Sequence, residues 1–347
     1  MARTVRFHEL GGPEVLRIEE LPVRDPGPGE VRLRIDAIGL NRAEVNFRRG
    51  TYVEPAVLPA RLGTEAAGQV LAVGPDVSRW APGDAVSVVP SFSQNSYPVY
   101  AEEAVVPAAA LVARPDGMDA ITGAAVWMPY VTVYGMVAEI VRVRPGDRVL
   151  VTAAGNSIGA AAIQVARLLG AIPVVTTPVP GQRAELVAGG ASAVIVTDGW
   201  DGTGPHGAPS AAGVGRDGLA AAVHAATDGH GADLVLDAVG GPVVEQLVGA
   251  CAPGATVIVH GGLSGQPTPL PAGGPHPVWL RRYHVFEITT EPAAMRRAEH
   301  FVRAGLAAGA FTPKVDRIFA FDDVAAAHAY LDSPDRAPGK PVLQVRP

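Results

Sequence analysis

The sequence predicts an α/β fold in two lobes, a small β-barrel joined to a doubly wound parallel sheet, on three observations. The first third is a series of short apolar or alternating runs punctuated by Pro and Gly turns. From about Thr122 the pattern changes to strands alternating with amphipathic helices. At Val149–Thr177 an apolar run enters a turn of small residues and leaves it as a helix. At 347 residues the chain also exceeds the size at which one core usually keeps growing, so two cores with a cleft between them are expected.

The barrel strands are read at Val31–Ile35, Gln69–Val73 and Ala85–Val89. Two of them are preceded by the turns Pro26–Glu30 and Ala81–Asp84, where proline fixes φ and glycine permits its positive values. The parallel strands are read at Arg148–Thr152, Pro173–Thr177, Ala193–Val196, Leu234–Asp237 and Thr256–His260. Helices are expected between them at Ile158–Leu169, Gln182–Ala188, Leu219–Thr227 and Val243–Ala250. The segment Gly199–Gly218 is rich in Gly, Pro and Ser without either period, and reads as a solvated surface loop. A helix at Pro292–Ala308 and short strands around a helix near Val324–Leu331 complete the chain.

Composition narrows the function. The net charge of −6 and the even scatter of Lys and Arg leave no basic stripe to track a phosphate backbone, so no nucleic-acid partner is expected. The single cysteine, Cys251, rules out an internal disulfide or a thiolate cluster for structural zinc and fits a reducing compartment. Arg3, Arg6, His8 and Glu9 stand where a signal peptide needs an unbroken apolar stretch, which points to the cytoplasm. Val149–Thr177 is long enough to mimic a membrane span. Asn156, Gln164, Arg167 and Pro173 in its interior favour strand, turn, helix and strand instead, so no membrane is expected.

The turn in that segment carries the first functional reading. Ala154, Gly155, Asn156, Ser157, Ile158 and Gly159 lead into the helix, and their small side chains let the backbone approach a pyrophosphate at the helix N-terminus. Ala154 and Asn156 occupy the first two glycine positions of a regular G-x-G-x-x-G, so the turn alone reads equally as an ordinary buried βα turn. After the next strand come Thr177 and then Arg183, with no acidic residue to bind a ribose hydroxyl. A carboxylate there would repel a 2′-phosphate, so its absence favours NADP over NAD, although Arg183 is equally a solvated helix residue. Further on, Val239 in Asp237–Gly241 and Gly261, Gly262 and Leu263 after His260 put small residues at strand carboxyl ends, where ligands bind in such sheets.

Together these residues resemble the zinc-independent quinone oxidoreductase branch of the medium-chain dehydrogenase/reductase superfamily, over nearly the whole chain. Asn41, Glu44, Arg48, Gly50 and Tyr52 match one family stretch. Gly63, Glu65 and Gly68, followed by Gly74 and by Gly83 and Asp84, match another. The resemblance implies a GroES-like barrel over residues 1–124, rejoined by 292–347, and a Rossmann domain over 125–291 that binds NADPH. It also implies a homodimer formed through an edge strand near Arg282–Thr290. Zinc is not expected: Thr64 stands where zinc-dependent members have a His, and no Cys occurs before Cys251.

The activity so implied is hydride transfer to a quinone or an α,β-unsaturated carbonyl compound. The alternatives are an enoyl reductase tailoring a specialised metabolite and a non-catalytic NADP-binding sensor or partner protein. Reduction of an enone leaves an enolate that needs a donor. Tyr52 is the first candidate, because a phenol stays protonated at neutral pH; on spacing alone it reads equally as a barrel-surface aromatic. By resemblance Asn41 lies at the substrate end of the cleft and Thr132 faces the nicotinamide, with Gly261, Gly262, Phe286 and Ile288 lining its pocket. Glu65 reads as an orienting group or as the partner of a nearby Arg. Pro178, Val179 and Gln182 depart from the basic and hydroxyl residues usual in NADPH-binding members, which weakens the NADP preference.

Overall fold

The structure is a computed structural model that describes residues 1–197, 218–333 and 336–346. Apart from Gly218, the insert read at Gly199–Gly218 lies outside the described residues.

The chain enters the barrel lobe through β1 (Ala2–Phe7), β2 (Arg17–Leu21), β3 (Glu30–Gly39), α1 (Arg42–Arg49) and β4 (Ala60–Arg61). It continues through β5 (Ala66–Val73), β6 (Ala85–Val88), β7 (Glu103–Pro107) and β8 (Leu111–Ala113). Strand β3 is the spine, pairing antiparallel with β5 and β7 along its length. Its alternation buries Val31, Leu33 and Ile35 against Phe47 and Leu62, as a period of two requires when one face meets a core.

Helix α2 (Ala120–Tyr134) then crosses between the lobes. With the turn that extends it to Ile140, it is long and apolar enough to cross a membrane by length and composition, yet it is mostly buried within the protein. Small residues make that burial possible. Ala124 and Ala125 pack on Ala37, Ala67 and Val342 of the barrel, while Val126, Val133 and Tyr130 join the core of the second lobe.

That lobe contains β9 (Arg148–Val151), α3 (Ser157–Leu168), β10 (Ile172–Thr177), α4 (Arg183–Ala188), β11 (Ala193–Val196) and α5 (Leu219–Ala226). Then come β12 (Ala232–Asp237), α6 (Val244–Gly249), β13 (Cys251–Val259), β14 (Trp279–Arg282), α7 (Phe286–Thr289) and α8 (Pro292–Ala307). Among the described residues its strands form a parallel sheet in the order β11-β10-β9-β12-β13-β14. Strand order reverses between β9 and β12, and a crevice outside the carboxyl ends opens at such a point. One face of the sheet is covered by α2, α3 and α8, the other by α5 and α6. Val149–Thr177 is thus a strand, helix and strand inside a covered sheet.

The chain returns to the barrel with β15 (Val315–Ala320), α9 (Val324–Asp332) and β16 (Lys340–Gln344), the last pairing with β3. Helix α8 buries Ala294, Ala298 and Val302 in the core of the parallel sheet, so the return begins at β15, later than the expected boundary at 292. The edge strand also needs correction. The stretch Arg282–Thr290 is not one strand: pairing stops at Arg282, and 286–289 are helical. Val285 and Ile288, three residues apart, are both buried on one side, and a Cβ added at Gly135 of the α2 extension would meet Ile288 Cγ1 at 2.6 Å.

Candidate nucleotide and substrate site

The turn after β9 is built on close backbone approach. Ala153 adopts a φ of 49°, a left-handed conformation that costs a non-glycine residue about 1–2 kcal/mol. Its N–H is held by Thr176 Oγ1 at 3.1 Å and its carbonyl by Asn156 Nδ2 at 2.7 Å. Asn156 is the N-cap of α3, its Oδ1 accepting from the N–H groups of Ile158 at 2.9 Å and Gly159 at 3.0 Å. A Cβ on Gly159 would lie 2.2 Å from the Ala154 carbonyl oxygen, so glycine is required where the helix presses on the turn. A Cβ on Gly155 would meet Gln182 Oε1 at 2.1 Å, so the space beside this glycine is taken by a flexible side chain.

Gln182 closes this end of the crevice, and sequence reasoning missed it as a site residue. It is buried, its Oε1 accepts from Thr177 Oγ1 at 2.6 Å, and its Nε2 donates to the Arg336 carbonyl at 2.8 Å. Thr177 is therefore engaged locally. Arg183 lies exposed at the start of α4. The Gln182 bond reaches across 154 residues to the backbone carbonyl of Arg336, whose side chain interacts instead with Asp316, Tyr330, Asp332 and Arg42.

Beside it, the loops after β12 and β13 interlock. The Asp237 carboxylate accepts from Thr152 Oγ1 at 2.8 Å and from the N–H groups of Val239 and Gly240 at 3.0 Å each. Leu263 N–H donates to the Ala238 carbonyl, and a Cβ on Gly261 would lie 2.3 Å from that same oxygen. Gly262 has open space where its Cβ would be. These three glycine-walled turns share the carboxyl end of the sheet. Gly155, Gly159 and Gly261 let the turns pack closely on the protein itself and Gly262 leaves its Cβ direction open, at the end of the sheet where folds of this kind bind a dinucleotide.

The barrel supplies the opposing side. Asn41 lies at the start of α1, and its amide is engaged on both sides within the barrel: Nδ2 donates to Glu65 Oε2 at 3.3 Å, and Oδ1 accepts from Lys340 Nζ. Glu65 pairs with Lys340 at 2.5 Å, both buried, so its partner is a lysine from β16 and not an arginine. Its other oxygen accepts from Met128 N–H at 2.8 Å, in the turn of α2 interrupted by Pro129. Glu44 reaches back to the Asn41 N–H at 2.8 Å and accepts from Thr64 Oγ1 at 2.9 Å. Burial pushes its carboxyl up to about 7, opposed by the Lys340 charge.

Tyr52 packs edge-on against Phe47, and its hydroxyl lies 3.4 Å from His284 Nε2 of the other lobe. Burial, with the Glu44 and Glu54 charges, holds its phenol well above the usual range. Phe286 is half-buried beside His284, with ring centroids 4.5 Å apart, while Ile288 is buried towards α2. Thr132 is buried within α2, its hydroxyl on Met128 Sδ at 3.7 Å. Among the described residues no group of three or more His, Cys, Asp or Glu could hold a metal ion, and Thr64 is bonded to Glu44.

Comparison with known proteins agrees with this architecture. The alcohol dehydrogenase GroES-like domain family matches residues 27–116, and the zinc-binding dehydrogenase family matches residues 214–343. A quinone oxidoreductase of Pseudomonas aeruginosa is 33% identical over 268 residues, which are 77% of this chain and 76% of the relative. The solved structure of the Escherichia coli quinone oxidoreductase complexed with NADPH superposes with a TM-score of 0.86 at 25% identity, covering 99% of this chain and 100% of that one. A quinone oxidoreductase of Pseudomonas syringae gives 0.85 at 27%, with the same coverage. A GroES-like barrel joined to a Rossmann sheet of this strand order, with relatives at this identity and coverage, shows that the chain belongs to the quinone oxidoreductase-like branch of the medium-chain dehydrogenase/reductase superfamily.

Proposed function

We propose that this chain is an NADPH-dependent, zinc-independent reductase of quinones or α,β-unsaturated carbonyl compounds. The observation that carries the reading is the gathering of three glycine-containing turns at one end of a sheet with a strand-order reversal, in a lobe whose His284 meets Tyr52 of the barrel. The E. coli relative that superposes over the whole chain is complexed with NADPH. When bound, the cofactor supplies a hydride. Gly155, Ser157 and Gly159 border its pyrophosphate; Val239, Gly261, Gly262 and Leu263 form the floor. Thr177 and Arg183 stand at its 2′ end, where a guanidinium suits a phosphate. Tyr52 donates the proton that the reduced acceptor needs. Asn41 and Glu65, engaged with each other and with Lys340, position the barrel wall.

We infer a homodimer, supported by β14 at the sheet edge, where Trp279 is 74% exposed, and a cytoplasmic location, supported by the single cysteine. An exposed aromatic on an edge strand is an aggregation liability unless a second copy covers it. The activity is tested by following NADPH oxidation at about 340 nm against separate panels of quinones and enones. Turnover with members of either panel supports the reading. Turnover with neither, in protein that binds NADPH, refutes it in favour of a non-catalytic binder. Stoichiometric zinc by elemental analysis would overturn the metal assignment.

A further inference from the structure

Tyr52 and His284 meet from opposite lobes, 232 residues apart in sequence. His284 lies in the turn between β14 and α7, and the Phe286 backbone N–H donates to its Nδ1 at 3.3 Å. An imidazole nitrogen that accepts a hydrogen bond carries no proton, so the neutral ring holds its proton on Nε2. Burial favours that neutral ring and pulls the pKa of His284 below its ordinary value, opposed by Glu287.

Nε2–H then points at the Tyr52 oxygen, 3.4 Å away, a distance that tightens when charge develops on that oxygen. A phenol oxygen that accepts from His284 directs its own proton elsewhere. The donor is needed, because burial and the Glu44 and Glu54 carboxylates all oppose a tyrosinate here.

We propose that His284 is a positioning residue for Tyr52: its Nε2–H turns the phenol proton towards the acceptor and stabilises the tyrosinate left by donation. The inference rests on the reading of Tyr52 as proton donor. In the balanced step, the acceptor would take on carbon the hydride that bound NADPH supplies, the cofactor being oxidised to NADP⁺, and the electron pair of the acceptor's π system moves to oxygen. The Tyr52 O–H bond breaks, its proton joins that oxygen and its electron pair stays on Oη. A proton taken up from solvent afterwards restores the Tyr52 O–H, the one proton the net reduction consumes.

The test begins without cofactor. In the ¹⁵N-labelled native chain, with the His284 signals assigned by their loss in His284→Gln, NMR reads the tautomer directly. An Nε2–H ring whose Nε2 resonance moves in Tyr52→Phe supports the inference; an Nδ1–H ring, or no movement, overturns it. In turnover, His284→Leu is expected to lower kcat about tenfold, part of the span general acids supply, without changing NADPH affinity. His284→Gln, whose amide donates from nearly the same place, is expected to recover most of the loss. If Tyr52→Phe leaves kcat unchanged, the donor reading and this inference fall together. If Tyr52→Phe lowers kcat but His284→Leu lowers it further in that background, only the inference falls.

Discussion

Lys340 contacts Glu65 at 2.5 Å with both side chains buried, and this single pair ties β16 to the residue that leads into β5 while the other Glu65 oxygen holds the Met128 N–H of α2. A buried pair is costly to break from one side, because the surviving charge loses its compensation. Lys340→Met is expected to destabilise the fold by about 3–5 kcal/mol. The double variant Lys340→Met with Glu65→Gln should recover part of that, since no ion is left buried. Urea unfolding of the three proteins checks both statements. Equal stability of the native chain and Lys340→Met would contradict them.

The two glycines of the nucleotide turn are expected to respond differently to a methyl group. At Gly159 the new Cβ meets backbone, the Ala154 carbonyl oxygen at 2.2 Å, and nothing there can swing away. Gly159→Ala should therefore cost about 1–3 kcal/mol, the usual range for overpacking. At Gly155 the obstacle is the end of the Gln182 side chain. Gly155→Ala should cost less than Gly159→Ala, and Gly155→Ala in a Gln182→Ala background less still. Denaturant midpoints order the three variants.

Asn156 accepts from two helix N–H groups, so Asn156→Ala should lose about 0.5–2 kcal/mol of stability. Asn156→Asp keeps the acceptor, loses the donor to the Ala153 carbonyl and adds negative charge at the turn. It should remain folded and bind NADPH more weakly, because a carboxylate there repels a pyrophosphate. Thermal melting and NADPH titration separate the two effects.

His328 is fully buried within the barrel lobe, and burial, with the nearby Arg48 and Arg42 charges, pushes its pKa down to about 3. The unfolded chain protonates this ring near pH 6.5. Between about pH 6.5 and 3 the unfolded state therefore binds one more proton than the folded state, and stability falls as pH falls through that window. The slope is on the order of 1.4 kcal/mol per pH unit. Glu44, pushed up to about 7, acts in the opposite sense between its unfolded value near 4.5 and 7, where the folded state holds the extra proton. His328→Leu should flatten the acid side, and Glu44→Gln should steepen it between about pH 4.5 and 7. Urea midpoints at pH 4, 5, 6 and 7 read both.

Much of the sheet was legible in the sequence because its strands are apolar runs bounded by turn residues: Ala193–Val196 stands as read, and β9, β10, β12 and β13 differ at their ends. The edge was misread for a physical reason. Val285, Phe286 and Ile288 have strand-forming side chains, but Val285 and Ile288 share a helical face towards α2, a tertiary demand that overrides propensity. The candidate site was legible only in its local parts. The Asn156 cap and the Gly159 contact join neighbours in the chain. Tyr52 with His284, Gln182 with Arg336 and Glu65 with Lys340 join residues 232, 154 and 275 positions apart, and no periodicity encodes such pairs.

The central claim is that the glycine-walled crevice holds NADPH, and calorimetric titration of the purified chain with NADPH and, separately, with NADH tests it most directly. The account predicts saturable NADPH binding at one site per chain, tighter than NADH and weakened when Arg183 is replaced by Ala. Absence of heat and of thermal stabilisation with either nucleotide would contradict it.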